Sequence, residues 1–235
     1  MDLVKLKEII NKLISELENG DRELLKKKMK DLISAFPFNE YEYMLMFLRD
    51  KDILTFNDYQ ELREAYVKSN KYLHLYGIAP RVFGQIWGEA HLLDIDKRFR
   101  KGSKKLDPSY NGQYDIWLNG IRIEVKACRA INTKLRGDLV SKALYHDSKE
   151  PFWMNFQQLK PRACDVFIFI GVWVDRIVYW VMTSKEVENN KYISHQHRGG
   201  IEYQIGITDR NIEEFQLFRV EKSDIFDVVM KKVNK

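Results

Sequence analysis

The chain is poor in cysteine: Cys128 and Cys164 are the only two in 235 residues. Two cysteines make neither a disulfide framework nor a zinc site of recognisable spacing, which points to a reducing, cytoplasmic setting. Long apolar runs are also missing. The most apolar stretch, VFIFIGVWV at 166–174, falls far short of the ~20 residues that a membrane-spanning helix needs and is expected to be a buried strand. The N-terminal MDLVKLKEIINKLISEL alternates charged and apolar residues at helical spacing and lacks the continuous apolar segment of a signal peptide, so neither export nor a membrane is expected. There is no repeat, no low-complexity tract and no GxxxxGK[ST] loop. Neither an ATP-driven motor nor a nucleotide cofactor is therefore expected.

What is present is an ordinary globular composition, 45% apolar and 31% charged, long enough for one sizeable core with a small appendage. A net charge of +5 and a pI near 9.0 permit an anionic partner without establishing one.

Leu3, Ile9, Ile10, Leu13, Ile14 and Leu17 recur at helical intervals, and Asn19-Gly20-Asp21 closes that helix and opens another over about 22–35. Helical patterns follow at about 39–50, at 57–69 with Asn57 or Asp58 as cap, and at 80–94 with Pro80 in the first turn. Residues 1–78 thus read as an N-terminal helical region. From about 107, β-branched and aromatic residues come in short runs punctuated by turn residues, which marks the start of strands. The pattern predicts strands near 113–118, 121–128, 165–173 and 177–182, and helices near 134–144 and 152–160. One or two further strands are predicted over 201–221 and a short helix near 223–232. The fold class is α/β (α+β).

GQYDIWLNGIRIEVKACR, 112–129, carries the chemistry. Asn119-Gly120 is a strong type I′ hairpin signal, because both central residues of that turn need positive φ. With those two as the loop, Leu118 faces Ile121, Trp117 faces Arg122, Ile116 faces Ile123, Asp115 faces Glu124 and Tyr114 faces Val125. Side-chain alternation then puts Tyr114, Ile116, Leu118, Ile121, Ile123 and Val125 on a core face and Asp115, Trp117, Arg122, Glu124 and Lys126 on the other. Opposed carboxylates repel unless positive charge lies between them. A solvated, charge-alternating face is the plainer account, but it gives the two opposed acids no purpose. Magnesium, commonly held by one or two carboxylates with waters and phosphate oxygens, gives them one. Lys126, on the same side as Glu124, is placed to orient a water and stabilise developing negative charge.

Asp115, an eight-residue gap bridged by the hairpin, and Glu124-Val125-Lys126 resemble the signature of the PD-(D/E)XK nucleases, a group that includes many type II restriction endonucleases, junction resolvases and repair nucleases. The resemblance implies that Asp115 and Glu124 ligate magnesium and that Lys126 positions the attacking water. Tyr114 stands where the family's name has proline. Within GQIWGEAHLLDI, Glu89 matches the helix glutamate that often completes the metal site; a surface glutamate is the alternative. Over residues 80–185 the expected order of elements is also similar. It implies a restriction-endonuclease-like mixed β-sheet flanked by helices over 79–235, followed by C-terminal DNA-recognition elements.

KRFRKGSKK, 97–105, gathers six basic residues in a loop, which adds sequence-independent affinity for a phosphate backbone. Lys101, Lys104 and Lys105 there, with Arg129, Lys134 and Arg136 beyond the hairpin, are candidate phosphate contacts. In SHQHRGG, His197 and Arg198 are candidate DNA contacts, arginine being the commonest reader of guanine edges. Gln157 and Gln158 are further candidates on the helix expected at 152–160. The implied activity is that of a magnesium-dependent, site-specific double-stranded DNA endonuclease, a type II restriction enzyme acting as a homodimer. A junction resolvase or repair nuclease on the same fold is the alternative, and a DNA-binding module that has lost catalysis is a third.

Overall fold

The computed structural model describes residues 3–30, 37–195 and 202–233. The chain divides into two compact units, Met1–Gly77 with Asp138–Ser141, and Ile78–Gly137 with Lys142–Lys235.

The first unit is helical: α1 (Leu3–Glu16), α2 (Asn19–Lys30), α3 (Pro37–Asp50) and α4 (Phe56–Ser69), then a 3-10 turn at Leu73–Gly77. Leu6 and Ile10 of α1 and Leu17 just after it pack with Leu45, Leu48 and Leu62 in one core, as amphipathic helices must to bury their apolar stripes. The cap of α4 is Thr55, earlier than the expected Asn57 or Asp58. Its hydroxyl accepts from the Asp58 amide while the Asp58 carboxylate accepts from the Thr55 amide, so one reciprocal pair satisfies two otherwise orphaned donors.

In the second unit, α5 (Pro80–Val82) runs through a π turn at Phe83–Trp87 into α6 (Gly88–Ile95). There follow β1 (Arg100–Lys101), β2 (Ile116–Leu118), β3 (Ile121–Arg129), β4 (Ile131–Asn132), β5 (Phe152–Leu159), β6 (Val166–Val172) and β7 (Ile177–Thr183). The remaining elements are α7 (Ser184–Glu188), β8 (Ile193–His195), β9 (Tyr203–Thr208), β10 (Arg219–Val220) and α8 (Ile225–Val233). Six strands form a mixed sheet in the order β1-β2-β3-β6-β7-β10, and four form an antiparallel sheet in the order β4-β5-β9-β8. In the larger sheet β3 and β6 are parallel, with Glu124 beside Phe167 and Lys126 beside Phe169. Every residue of β6 is buried, as expected of a central strand covered on both faces.

Two expected helices are absent. Most of the 152–160 stretch, Phe152–Leu159, forms β5 instead: Phe152, Met154 and Phe156 are buried in alternation and the strand pairs along β9. Phe152, Phe156 and Leu159 also fit helical spacing, and the second sheet decides between the two periods by covering the strand one. Residues 134–144 contain no helix; the Asp138 carboxylate accepts from both the amide and the hydroxyl of Ser141, which closes a local turn instead. The parallel connection from β3 to β6 therefore runs through the second sheet, where a helix is the commoner solution. Phe156 and Phe169 meet edge to face, with ring centroids 5.0 Å apart, in a core that also takes in Met154, Phe167, Trp180 and Met182.

Among the described residues, no helix is long and apolar enough to cross a membrane.

Candidate active site

Asn119 and Gly120 take φ values of 48° and 92°, the positive pair that a type I′ turn demands. The hairpin register is Leu118↔Ile121, Trp117↔Arg122 and Ile116↔Ile123, and Ile116, Leu118, Ile121, Ile123 and Val125 are all buried. There the ladder stops. Asp115 is not a ladder partner of Glu124, nor Tyr114 of Val125. The Asp115 amide donates to Ile123 O at 3.1 Å, and Oδ2 of Asp115 accepts from Val125 N at 2.8 Å. The carboxylate thus takes an amide proton that a strand carbonyl would otherwise take. Tyr114 turns toward Trp117, ring centroids 6.1 Å apart, and its hydroxyl donates to Asp107 at 3.0 Å. The Asp115 carbonyl in turn accepts from Gly102 N at 2.8 Å, so backbone and side chain of this residue are both pinned.

Strand alternation sends Glu124 and Lys126 to one side of β3, where Lys126 Nζ lies 2.7 Å from Glu124 Oε1 and the side chains are only 16% and 18% exposed. Burial, and then the negative charge of Glu124, push the Asp115 carboxyl up to about 7, against the opposing pull of the Val125 amide and Lys126. Glu89 adds to the rise. It reaches the site because α6 lies hard against β3: a Cβ on Gly88 would stand 3.1 Å from Ala127 Cβ, so only glycine allows that approach without a shift. Glu89 Oε2 pairs with Lys101 Nζ at 3.0 Å, and the pairing raises the Lys101 ammonium above its ordinary value, the hydrogen bond first.

Asp115, Glu124, Glu89, Lys101 and Lys126 therefore share one electrostatic cluster drawn from β1, the residue before β2, β3 and α6. It sets three acids against two ammonium groups, and burial and Glu124 together disfavour the charge on Asp115. Among the described residues, no group of three or more His, Cys, Asp or Glu side chains is placed to hold a metal ion. Asp115 and Glu124 alone supply the hard oxygen donors that magnesium accepts when water and phosphate complete its shell, while Glu89 is turned to Lys101.

The expected DNA contacts fare differently. Lys104, Lys105 and Arg136 are exposed, and Lys134 pairs with Glu150 at 3.1 Å. Arg129 is only 6% exposed; its Nη1 donates to Ile78 O at 2.7 Å and its guanidinium lies 4.3 Å over the Phe83 ring. Gln157 and Gln158 are exposed on β5, not on a helix. His197 and Arg198 lie outside the described residues.

Two features were not evident from the sequence. Arg122 donates through its backbone amide at 2.8 Å and its Nε at 3.1 Å to one Asp165 oxygen and through Nη2 at 2.6 Å to the other, tying the hairpin to the start of β6. Arg81 and Asn155 line a cavity together with Lys126; the topology alone puts them beside β3. Compared with known protein families, curated proteins and solved structures, the chain matches none.

Proposed function

We propose that the protein is a magnesium-dependent endonuclease that hydrolyses phosphodiester bonds of double-stranded DNA at specific sites, on a restriction-endonuclease-like version of the PD-(D/E)XK scaffold. The observation that carries this reading is the half-buried Asp115 carboxyl, raised toward neutrality beside Glu124, with Lys126 in contact with that glutamate. A fold gains no stability from such an arrangement, and perturbed groups of this kind concentrate where chemistry is done.

When bound, magnesium would supply Lewis-acid polarisation of a phosphoryl oxygen and a more acidic water. Asp115 and Glu124 would hold it. The Val125 amide and the Gly102 amide fix Asp115 so that its carboxylate needs little reorganisation. Lys126 presents its ammonium at the same point, where it can orient a water for attack and offset charge that develops on the phosphate. Lys101 and the exposed Lys104 and Lys105 lie on the chain leading to β2 and supply attraction to the backbone. Sequence selectivity would draw on the second sheet, where Trp153 is 44% exposed and the amides of Asn155 and Gln204 are linked at 3.2 Å. A homodimer would bring two such sites to the two strands of a palindromic sequence.

The test is digestion of long unmodified duplex DNA with magnesium and with EDTA. Discrete, magnesium-dependent fragments that disappear in Glu124→Ala, with duplex binding retained, are the expected result. Cleavage confined to branched DNA would assign a resolvase, and retardation without cleavage a binding module; equal cleavage by Glu124→Ala would remove the site assignment.

A further inference from the structure

The cavity beside β3 measures ≈ 520 Å³. It opens between the start of the α5–α6 helix, β3 and the end of β5, and Lys126 forms part of its wall, so it adjoins the candidate active site. Arg81, Lys126 and Arg129 bring positive charge to the lining and Asn155, Gln157 and Gln158 bring amides, and among the described residues no acidic side chain lines it. Such a wall suits an anion that also carries hydrogen-bonding edges.

The two glutamines are there through a local irregularity. Successive residues of a regular strand point to opposite faces, yet Gln157 and Gln158 both line this cavity. Gln158 adopts φ 58°, and the pairing of β5 with β9 shifts between Phe156 and Leu159. Bulges of this kind re-aim side chains next to functional sites, and a non-glycine residue held in the left-handed region is a cost the surrounding structure must offset.

We propose that the cavity receives a single nucleotide of the substrate strand, next to the scissile phosphate and turned out of the base stack. This rests on the nuclease reading and adds a substrate conformation to it. The volume lies within the ~300–1,000 Å³ of small-molecule sites, enough for one nucleotide and far too little for a duplex. Paired bases offer their edges only along a groove, whereas the floor of this cavity is formed by the buried Phe83, Arg129 and Phe156, with the exposed glutamines at its rim. A base must leave the stack to reach that floor, and the rim amides can then bond the donor and acceptor atoms that pairing had occupied. Arg81 and Lys126 face its phosphate.

The experiment uses the full-length protein and a duplex spanning the mapped cut, with 2-aminopurine or a mispair placed in turn at each position flanking it. Binding is measured in EDTA. At one position the wild type should bind a mispaired duplex about tenfold more tightly than the paired one, because the unpairing cost is already met, and 2-aminopurine emission there should rise severalfold. Gln157→Ala and Arg81→Ala change exposed residues and should fold normally while losing that preference. If the wild type cleaves duplex DNA but mispairs alter binding by less than twofold at every flanking position, the cavity proposal is overturned and the nuclease reading stands. If a preference exists but survives in both variants, the unstacked base lies elsewhere and the proposal is likewise overturned. If no nucleic acid is cleaved, the nuclease reading fails and this proposal fails with it.

Discussion

Replacing Asp115 by asparagine should stabilise the metal-free protein and abolish cleavage. The carboxylate accepts the Val125 amide proton at 2.8 Å, and an asparagine keeps an oxygen for that bond while removing the charge beside Glu124. Burial and Glu124 raise the Asp115 carboxyl from 3.8 to about 7 in the folded protein. The sign follows from linkage. Below about pH 4 the group is protonated in folded and unfolded chains alike, and it costs nothing. As pH rises the unfolded chain ionises first, and the native state loses ~1.4 kcal/mol of relative stability per pH unit until its own carboxyl ionises near 7. The accumulated cost is at most ~4 kcal/mol at about pH 8. Asp115→Asn escapes it. In urea titrations with EDTA, the variant's midpoint should exceed that of wild type by roughly 1 M or more at about pH 8 and by much less at about pH 5, given slopes of ~1–3 kcal/mol per molar urea. Magnesium should then raise the midpoint of wild type more than that of the variant. A variant less stable than wild type at the higher pH, or a difference independent of pH, would refute the account of two carboxylates in conflict.

Other tests address separate parts of the structure. Lys126→Ala should reduce the cleavage rate by ~100-fold or more, in the range for loss of a positioned proton-transfer group, with a far-UV spectrum like that of wild type; undiminished turnover would remove the lysine from the mechanism. Asp165 is held below its ordinary value, its bonds from Arg122 outweighing the cost of burial, so it contributes stability above about pH 4 that is lost as pH falls through its lower folded value. Asp165→Asn should accordingly be less stable than wild type near neutrality, with the gap closing in acid; a gap that widens in acid would contradict that sign. Gly120→Val, at φ 92°, should cost on the order of 1–3 kcal/mol, and an unchanged thermal midpoint would argue against the type I′ turn.

The hairpin was legible because its signals are local. Asn119-Gly120 sets the loop, and alternation around it assigns the buried and polar residues over Ile116–Val125. That local logic ends at Asp115, where the carboxylate replaces a backbone acceptor and breaks the register that alternation predicts. The α1, α3 and α4 helices were equally visible, since each carries an apolar stripe at its own period. For 152–160 two periods were available in one stretch, and nothing local chose between them. At α6, Glu89 was a match of motif alone; its approach to Asp115 depends on Gly88 lying against Ala127.

By itself, then, the sequence determined which segments could form helices and which could pair in a tight turn, because propensity and periodicity act over a few residues. It also placed Glu124 and Lys126 on one side of one strand. Tertiary structure alone decided that β5 is a strand, that β3 runs beside β6, and that Arg81, Lys126 and Gln157 share a cavity. Those outcomes depend on which apolar face covers which, and on charges and backbone groups that meet only after distant segments of the chain have been brought together.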